Sequence, residues 1–148
     1  MNKKEQVTLT NMCMIIDKNE NVVIQERKKQ NWKGFVFPGG HIEKLESIYE
    51  SVQREVLEET GLHILNPKLC GLKQFWDKEE ERYIVFLFKA TEFVGELQSS
   101  LEGEVQWVRL EEIRKYQLAE NFDEMLDIFL DDDKQELYYD LEFNPAIF

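Results

Sequence analysis

Three glutamates, Glu55, Glu58 and Glu59, fall inside one short segment that otherwise has every mark of a helix, and that conflict constrains the chain more than any other feature. Ser47-Ile48-Tyr49-Glu50 has the form of a capping box, which satisfies free backbone donors at a helix start. Gly61 is placed to end the helix in a left-handed cap. Between them Ile48, Val52 and Val56 recur every four residues as an apolar stripe. The i, i+3, i+4 spacing then puts the three carboxylates on one face. Like charges so spaced destabilise a helix by a few tenths of a kcal/mol per pair. The backbone dipole near the C-terminal end disfavours negative charge as well. Two local rules broken together point to a functional site. Divalent cations such as Mg²⁺ or Mn²⁺, which take hard oxygen ligands, relieve both conflicts.

Taken alone, Glu-Val-Leu-Glu-Glu reads as a solvated acidic face, and Arg54 as a surface partner of Glu50 or Glu58. The whole spacing says otherwise. Gly40, Glu46, Arg54, Glu55, Val56, Glu58, Glu59, Gly61 and Leu62 form one pattern. It runs Gly, five residues, Glu, seven residues, Arg-Glu, a bulky aliphatic, any residue, Glu-Glu, any residue, Gly, a bulky aliphatic. Chance agreement somewhere in this chain is well under about one in a million. The segment resembles the signature of the Nudix hydrolases at every constrained position. Phe37-Pro38-Gly39-Gly40 before it and Trp107-Val108 after it resemble the family's flanks.

The resemblance implies an α/β sandwich in which helices flank a mixed β-sheet and the box forms loop–helix–loop. It implies cleavage of a nucleoside diphosphate linked to a further group, by attack of water on phosphorus. By the same resemblance Glu55, Glu58 and Glu59 are metal ligands, joined by the Gly39 carbonyl, and Glu55 or Glu58 also serves as general base. Arg54 orients the glutamates by salt bridge; Glu46 acts structurally or through a metal-bound water. An additional ligand is implied outside the box. Glu104, three residues before Trp107, is the first candidate and Glu102 the second, each read equally well as surface charge. Physics agrees with the outline: bound cations let a polyphosphate approach an acidic cluster and lower the pKa of an attacking water. A glutamate within reach of that water can take its proton, and glycines at 39 and 40 permit close backbone approach.

Within the family the chain resembles the small 8-oxo-dGTP diphosphatase (MutT-type) group. Arg27 ends the strand before the box as a phosphate- or base-contacting arginine does there. Asn121 falls near an asparagine that reads a purine edge, although an N-cap explains it equally well. The stretch from Arg27 to Phe35 supplies four cations suited to a phosphate chain. Trp32, Phe35, Trp76 and Tyr83 are candidates for stacking on a base, with core packing the simpler role for each. The expected reaction converts an oxidised nucleoside triphosphate to monophosphate and pyrophosphate. ADP-ribose or a nucleotide-sugar is the alternative substrate. A nucleotide-sensing module without turnover would be expected to lose box glutamates, and none is lost.

Along the rest of the chain, Val7–Ile16 and Val22–Arg27 read as a hairpin around the turn Asp17–Asn21. Gly34–Phe37, Leu69–Trp76, Tyr83–Lys89 and Glu104–Arg109 read as strands, with Asp77–Arg82 as a hairpin loop. Leu110–Tyr116 and Phe122–Leu130 read as helices; Glu136–Phe143 reads as a strand or docked tail. Mixed strands and helices of this kind make one layered α/β domain over residues 1–148. Thirty acidic against 18 basic residues give a formal charge of −12, which disfavours duplex nucleic acid and anionic membrane as partners. No apolar run reaches the roughly 18 residues of a membrane span. Cys13 and Cys70 read as free thiols in a reducing, cytoplasmic setting. The family's frequent dimers make a homodimer conceivable, yet no heptad or apolar patch identifies an interface.

Overall fold

A computed structural model describes residues 3–28 and 32–148. Ten strands and two α-helices follow the order β1 (Val7–Ile15), β2 (Asn21–Arg27), β3 (Gly34–Val36), α1 (Ile48–Thr60), β4 (His63–Leu65), β5 (Lys68–Trp76), β6 (Arg82–Ala90), β7 (Glu92–Val94), β8 (Val105–Arg109), α2 (Phe122–Leu130), β9 (Glu136–Tyr139) and β10 (Pro145–Ile147). The main sheet is mixed, in the order β1-β6-β5-β9-β10, with β1 parallel to β6 and β5 parallel to β9. A three-stranded antiparallel sheet has the order β3-β2-β8, and β4 pairs with β7.

The alternation of side chains along the strands builds a core on each face of the main sheet. From β1, Met12 and Met14 join Val85, Leu87, Leu137, Phe122 and Phe129 on the α2 side. Cys13 and Ile15 join Val23, Phe88 and the Val52 and Val56 stripe of α1 on the other. A strand buried on both faces must be apolar almost throughout, which explains the Met12–Ile16 run. Cys13 and Cys70 are both free thiols.

The expected β1–β2 hairpin does not form. Asp17 folds the chain back by accepting from the backbone N–H groups of Asn19 and Asn21, but pairing stops at a single Ile16–Val22 bridge. Both strands are apolar on both faces, and a two-stranded ribbon cannot cover them. Each instead enters a separate sheet, β1 beside β6 and β2 between β3 and β8. The β5–β6 hairpin forms as expected, with a bulge between Leu69 and Gly71. Leu110–Lys115 is a 3-10 helix rather than an α-helix. The segment from Glu136 turns at Asp140 and returns as β10, so the tail is two strands. The short β4–β7 pair carries no signal in the sequence beyond the few residues on either side of it.

Phe37 leads directly into Pro38-Gly39-Gly40. Fully buried, it meets Phe122 and Phe129 edge-on at centroid distances of 4.9 and 5.0 Å. It anchors the entry of the box loop on α2. Phe37→Ala should therefore lower stability by about 3–5 kcal/mol in urea titrations, with a smaller loss for Phe37→Leu.

Candidate active site

Helix α1 begins where Ser47 Oγ accepts from the Glu50 N–H at 3.0 Å. It ends where Gly61, at φ 77°, turns left-handed and donates to the Leu57 carbonyl. A Cβ at Gly61 would lie 2.8 Å from the Glu96 carbonyl, so the position is restricted sterically as well as conformationally. The helix docks on β1 through the loop before it. Pro38 and Gly40 carbonyls accept from Cys13 and Asn11 N–H groups, each at 2.9 Å. The intervening Gly39 carbonyl accepts no backbone hydrogen bond among the described residues.

Asn11 completes the joint, accepting from Gly40 N–H at 3.1 Å and donating to Ser51 Oγ at 2.9 Å. The two glycines are needed for packing before any ligand is considered. A Cβ at Gly39 would stand 2.1 Å from the Asn11 carbonyl, and one at Gly40 2.4 Å from the Glu55 carboxylate.

The three glutamates share a helix face but not an environment. Glu59 is 2% exposed, on the same buried stripe as Val52 and Val56. The Glu55 side chain is 16% exposed and that of Glu58 58%. Arg54 spans them. Its Nε and a terminal nitrogen hold both Glu46 oxygens, at 2.6 and 2.9 Å. That same terminal nitrogen also donates to the His41 carbonyl at 3.0 Å, while the other reaches Glu55 at 2.9 Å and Glu58 at 3.3 Å. The Arg54 hydrogen bond holds Glu46 below the usual carboxylate range, and the same contacts raise the guanidinium further above its ordinary value.

Glu59 accepts from Gly39 N–H at 3.3 Å through one oxygen, while its other oxygen is buried with no hydrogen-bond partner. Burial pushes its carboxyl up to about 7; the neighbouring Gln25 amide and Arg27 charge oppose the rise, and Glu55 adds to it. Gln25 and Arg27 come from alternate positions of β2 on its α1 side. The Gln25 amide lies beside Glu59 but outside hydrogen-bond geometry, and Arg27 Nε is also buried without a partner. Buried polar atoms are seldom left unpaired. Here a carboxylate oxygen, an amide and a guanidinium nitrogen converge in one place. Hard oxygen donors around an orphaned carboxylate suit a divalent cation, and Glu55 is the neighbouring carboxylate that acts on Glu59.

The remaining candidates are distributed unevenly. Arg27 stacks over Trp32, its guanidinium carbon 5.6 Å from the ring centroid, and so links the carboxylates to an aromatic wall. Trp32 Nε1 donates to the Glu120 carbonyl at 2.8 Å, which brings the Glu120–Asn121 backbone to the same wall. Asn121 is left-handed at φ 70° and precedes α2, but its side chain makes no cap hydrogen bond. Glu104 is exposed. Its carbonyl accepts from Glu26 N–H, and its side chain is absent from the contacts that join Glu46, Arg54, Glu55 and Glu58. It lies one position from Val105, the β8 partner of Gln25. Trp76 lies instead against Arg82 and Tyr138, and Phe35 packs on Tyr116.

Arg27, Lys28 and Lys33 line an open cleft of ≈ 350 Å³ beside Phe35; Lys29, the other cation of that stretch, lies outside the described residues. A larger cleft of ≈ 480 Å³ around Asp17 and Phe93 involves none of these residues. Asn11 and Gln25 escape a reading of the sequence, although a polar residue inside each apolar strand was the available signal.

The NUDIX domain profile matches residues 8–129 of this sequence. The chain belongs to the Nudix hydrolase family. Its relatives include an uncharacterized Nudix hydrolase of Bacillus subtilis, YvcI, 31% identical over 121 residues that cover 78% of this chain and 75% of that protein. The 8-oxo-dGDP phosphatase NUDT18 of Danio rerio is 32% identical over 107 residues, covering 68% of this chain but 32% of that much longer protein. The MutT protein of Bacillus halodurans superposes with a TM-score of 0.75 at 28% identity, covering 95% of this chain and 96% of that one. Other Nudix relatives are named 8-oxo-dGTP diphosphatase and ADP-ribose pyrophosphatase. Nudix hydrolases generally use divalent metal ions.

Two outcomes test this geometry. Lysine cannot reproduce the forked contacts of Arg54, so Arg54→Lys should weaken Mn²⁺ binding by about 10–100-fold in calorimetric titration. A carboxyl whose folded pKa is raised stabilises the fold only while protonated. The Glu59 contribution is therefore complete below about 4.5 and lost as pH rises through about 7. Above that range, metal-free Glu59→Gln should be more stable than the parent by about 1–3 kcal/mol in thermal melts.

Proposed function

We propose that this Nudix hydrolase converts an oxidised nucleoside triphosphate, with 8-oxo-dGTP as the type, to the monophosphate and pyrophosphate, using Mg²⁺. The observation that carries the reading is the orphaned Glu59 carboxylate oxygen, buried beside Glu55 and tied through Arg27 to the Trp32 ring. A phosphate-handling centre and a flat aromatic surface thus adjoin, which is what a nucleotide presents. Names borne by relatives, 8-oxo-dGDP phosphatase and 8-oxo-dGTP diphosphatase, support the same substrate class.

Glu55, Glu59 and the Gly39 carbonyl would hold the metal, with Glu58 completing the set and Glu104 a reserve donor from the start of β8. Mg²⁺ when bound offsets phosphate charge and acidifies water. Arg54 holds Glu55 and Glu58 in place, so neither carboxylate swings free between turnovers. Glu58, the most exposed of the three, takes the proton of the attacking water, as a base needs access to bulk solvent to pass it on. Arg27, with Lys28 and Lys33 along the adjoining cleft, binds the phosphate chain. Trp32 stacks on the base, and Asn121 reads its edge with one acceptor and two donors.

The ADP-ribose pyrophosphatase among the relatives favours a second reading, in which a ribose phosphate replaces the terminal phosphates. Turnover with Mg²⁺ across 8-oxo-dGTP, ordinary dNTPs, ADP-ribose and dinucleoside polyphosphates separates the two. Preference for 8-oxo-dGTP over dGTP is expected, and equal rates would remove the oxidised-nucleotide assignment. Glu58→Gln should lower kcat by about 10²–10⁴-fold; a variant as fast as the parent on every substrate overturns the role given to Glu58.

A further inference from the structure

Lys73 is the one lysine in the described core, 5% exposed in the middle of β5. The inward-facing positions of that strand are Gly71, Lys73 and Phe75, so its side chain enters the core on the α2 side of the sheet. Three aromatic rings surround the ammonium, with centroids 5.3 Å (Phe75), 5.5 Å (Trp32) and 5.7 Å (Tyr139) from Nζ. It makes no hydrogen bond or ion pair among the described residues. Glu124 in the first turn of α2 and Glu120 just before that helix are the opposite charges that act on it. The hydroxyl of Tyr139, whose ring is one of the three, is buried without a hydrogen-bond partner.

An ammonium has three donors and no acceptor, and holding one largely out of water without a hydrogen-bond partner is costly. Cation–π contacts offset only part of that cost. Burial pulls its pKa down to about 8 against the pull of Glu124 and Glu120. The aromatic cluster also reaches Arg27, because the Trp32 ring beside Lys73 is the ring over which Arg27 stacks. A buried donor cluster, aromatic walls and two nearby carboxylates are together the complement of a flat heterocycle that carries acceptors on one edge and donors on the next.

We infer that Lys73 is a specificity-determining residue that selects 6-oxopurine over 6-aminopurine nucleotides. The inference rests on the nucleotide reading above and adds to it the part of the base that is read. Guanine, its 8-oxo form and hypoxanthine all offer O6 as an acceptor, which a lysine can bind, whereas adenine puts an amino group in place of O6 and sets donor against donor. Glu120 and Glu124 match the same choice, since the ring N–H and 2-amino group of guanine are donors and the corresponding adenine ring nitrogen is an acceptor.

The test compares kcat/KM for dITP, dATP and dGTP in the parent, Lys73→Met and Lys73→Gln. Methionine matches the volume of lysine and removes a buried charge, so that variant should fold and melt no lower than the parent. Hypoxanthine and adenine differ at the 6-position edge alone. The parent should prefer dITP over dATP by about 10–100-fold, and Lys73→Met should bring that ratio close to one. Lys73→Gln, which keeps a donor, should fall between them. The ratio of dGTP to dITP should persist in every variant, because it reads the 2-amino group. A parent that treats dITP and dATP alike, or a Lys73→Met protein that keeps the parent's ratio, overturns the inference and leaves the hydrolase reading standing. If no triphosphate is hydrolysed, the nucleotide reading fails. Calorimetric titration with IMP and AMP then decides Lys73 alone: tighter IMP binding lost in Lys73→Met supports it, and equal binding overturns it.

Discussion

The Arg54 guanidinium holds together charges that would otherwise separate. Helix α1 has no basic residue in its last turn, so the macrodipole there opposes Glu58 and Glu59 as fully as their mutual repulsion does. Arg54, one turn earlier, distributes its donors over Glu46, Glu55, Glu58 and the His41 carbonyl. Glu46 and His41 belong to the loop, Glu55 and Glu58 to the helix. One cation therefore sets the geometry between the two, and its side chain is only 23% exposed, where charged hydrogen bonds are screened less by solvent than at the open surface.

That loop–helix unit is joined to the sheet by close backbone contact as well as by side chains. The absence of a Cβ at Gly39 lets the loop lie on β1, and its absence at Gly40 lets the Glu55 carboxylate lie on the loop. Asn11, reaching both Gly40 and Ser51, locks the same three elements. From the second sheet, β2 brings Gln25 and Arg27 against Glu59. The site thus forms at the junction of two sheets and a helix, none of which carries it alone. Among the described residues, the buried side-chain polar atoms without hydrogen-bond partners belong to Gln25, Arg27, Glu59 and Tyr139. Three of the four lie at the carboxylate cluster, and the ring of Tyr139 lies beside Lys73. Unsatisfied polarity is thus concentrated in two places, and among the described residues the other fully buried side-chain polar atoms are paired.

Features whose cause is local were legible in the sequence. Ser47 and Gly61 bound α1 because capping depends on residues within one turn. The β5–β6 hairpin was legible because its strands are sequence neighbours across a short charged loop. The partners of β1 and β2 were not, because strand pairing is chosen by which surfaces need cover, and two strands apolar on both faces must find neighbours from elsewhere. Glu55, Glu58 and Glu59 could be placed on one face by helix geometry. Their graded burial could not be, since it depends on where the α1 stripe meets the sheet. Lys73 and Gln25 were illegible for the same reason: a polar residue in a strand reads as solvent-facing until the other side of the sheet is known to be covered.

By itself, then, the sequence determined the family, the limits of the box helix and the shared face of Glu55, Glu58 and Glu59, because these follow from residue type and spacing over a few turns. Only the tertiary structure decided that Glu59 is buried with one oxygen unpaired, that Arg27 connects it to Trp32, and that Lys73 lies among aromatic rings. Burial and long-range proximity belong to surfaces meeting in space: Gln25 and Arg27 of β2 meet Glu59 of α1, and Lys73 of β5 meets Trp32 and Tyr139, through pairings no local signal encodes.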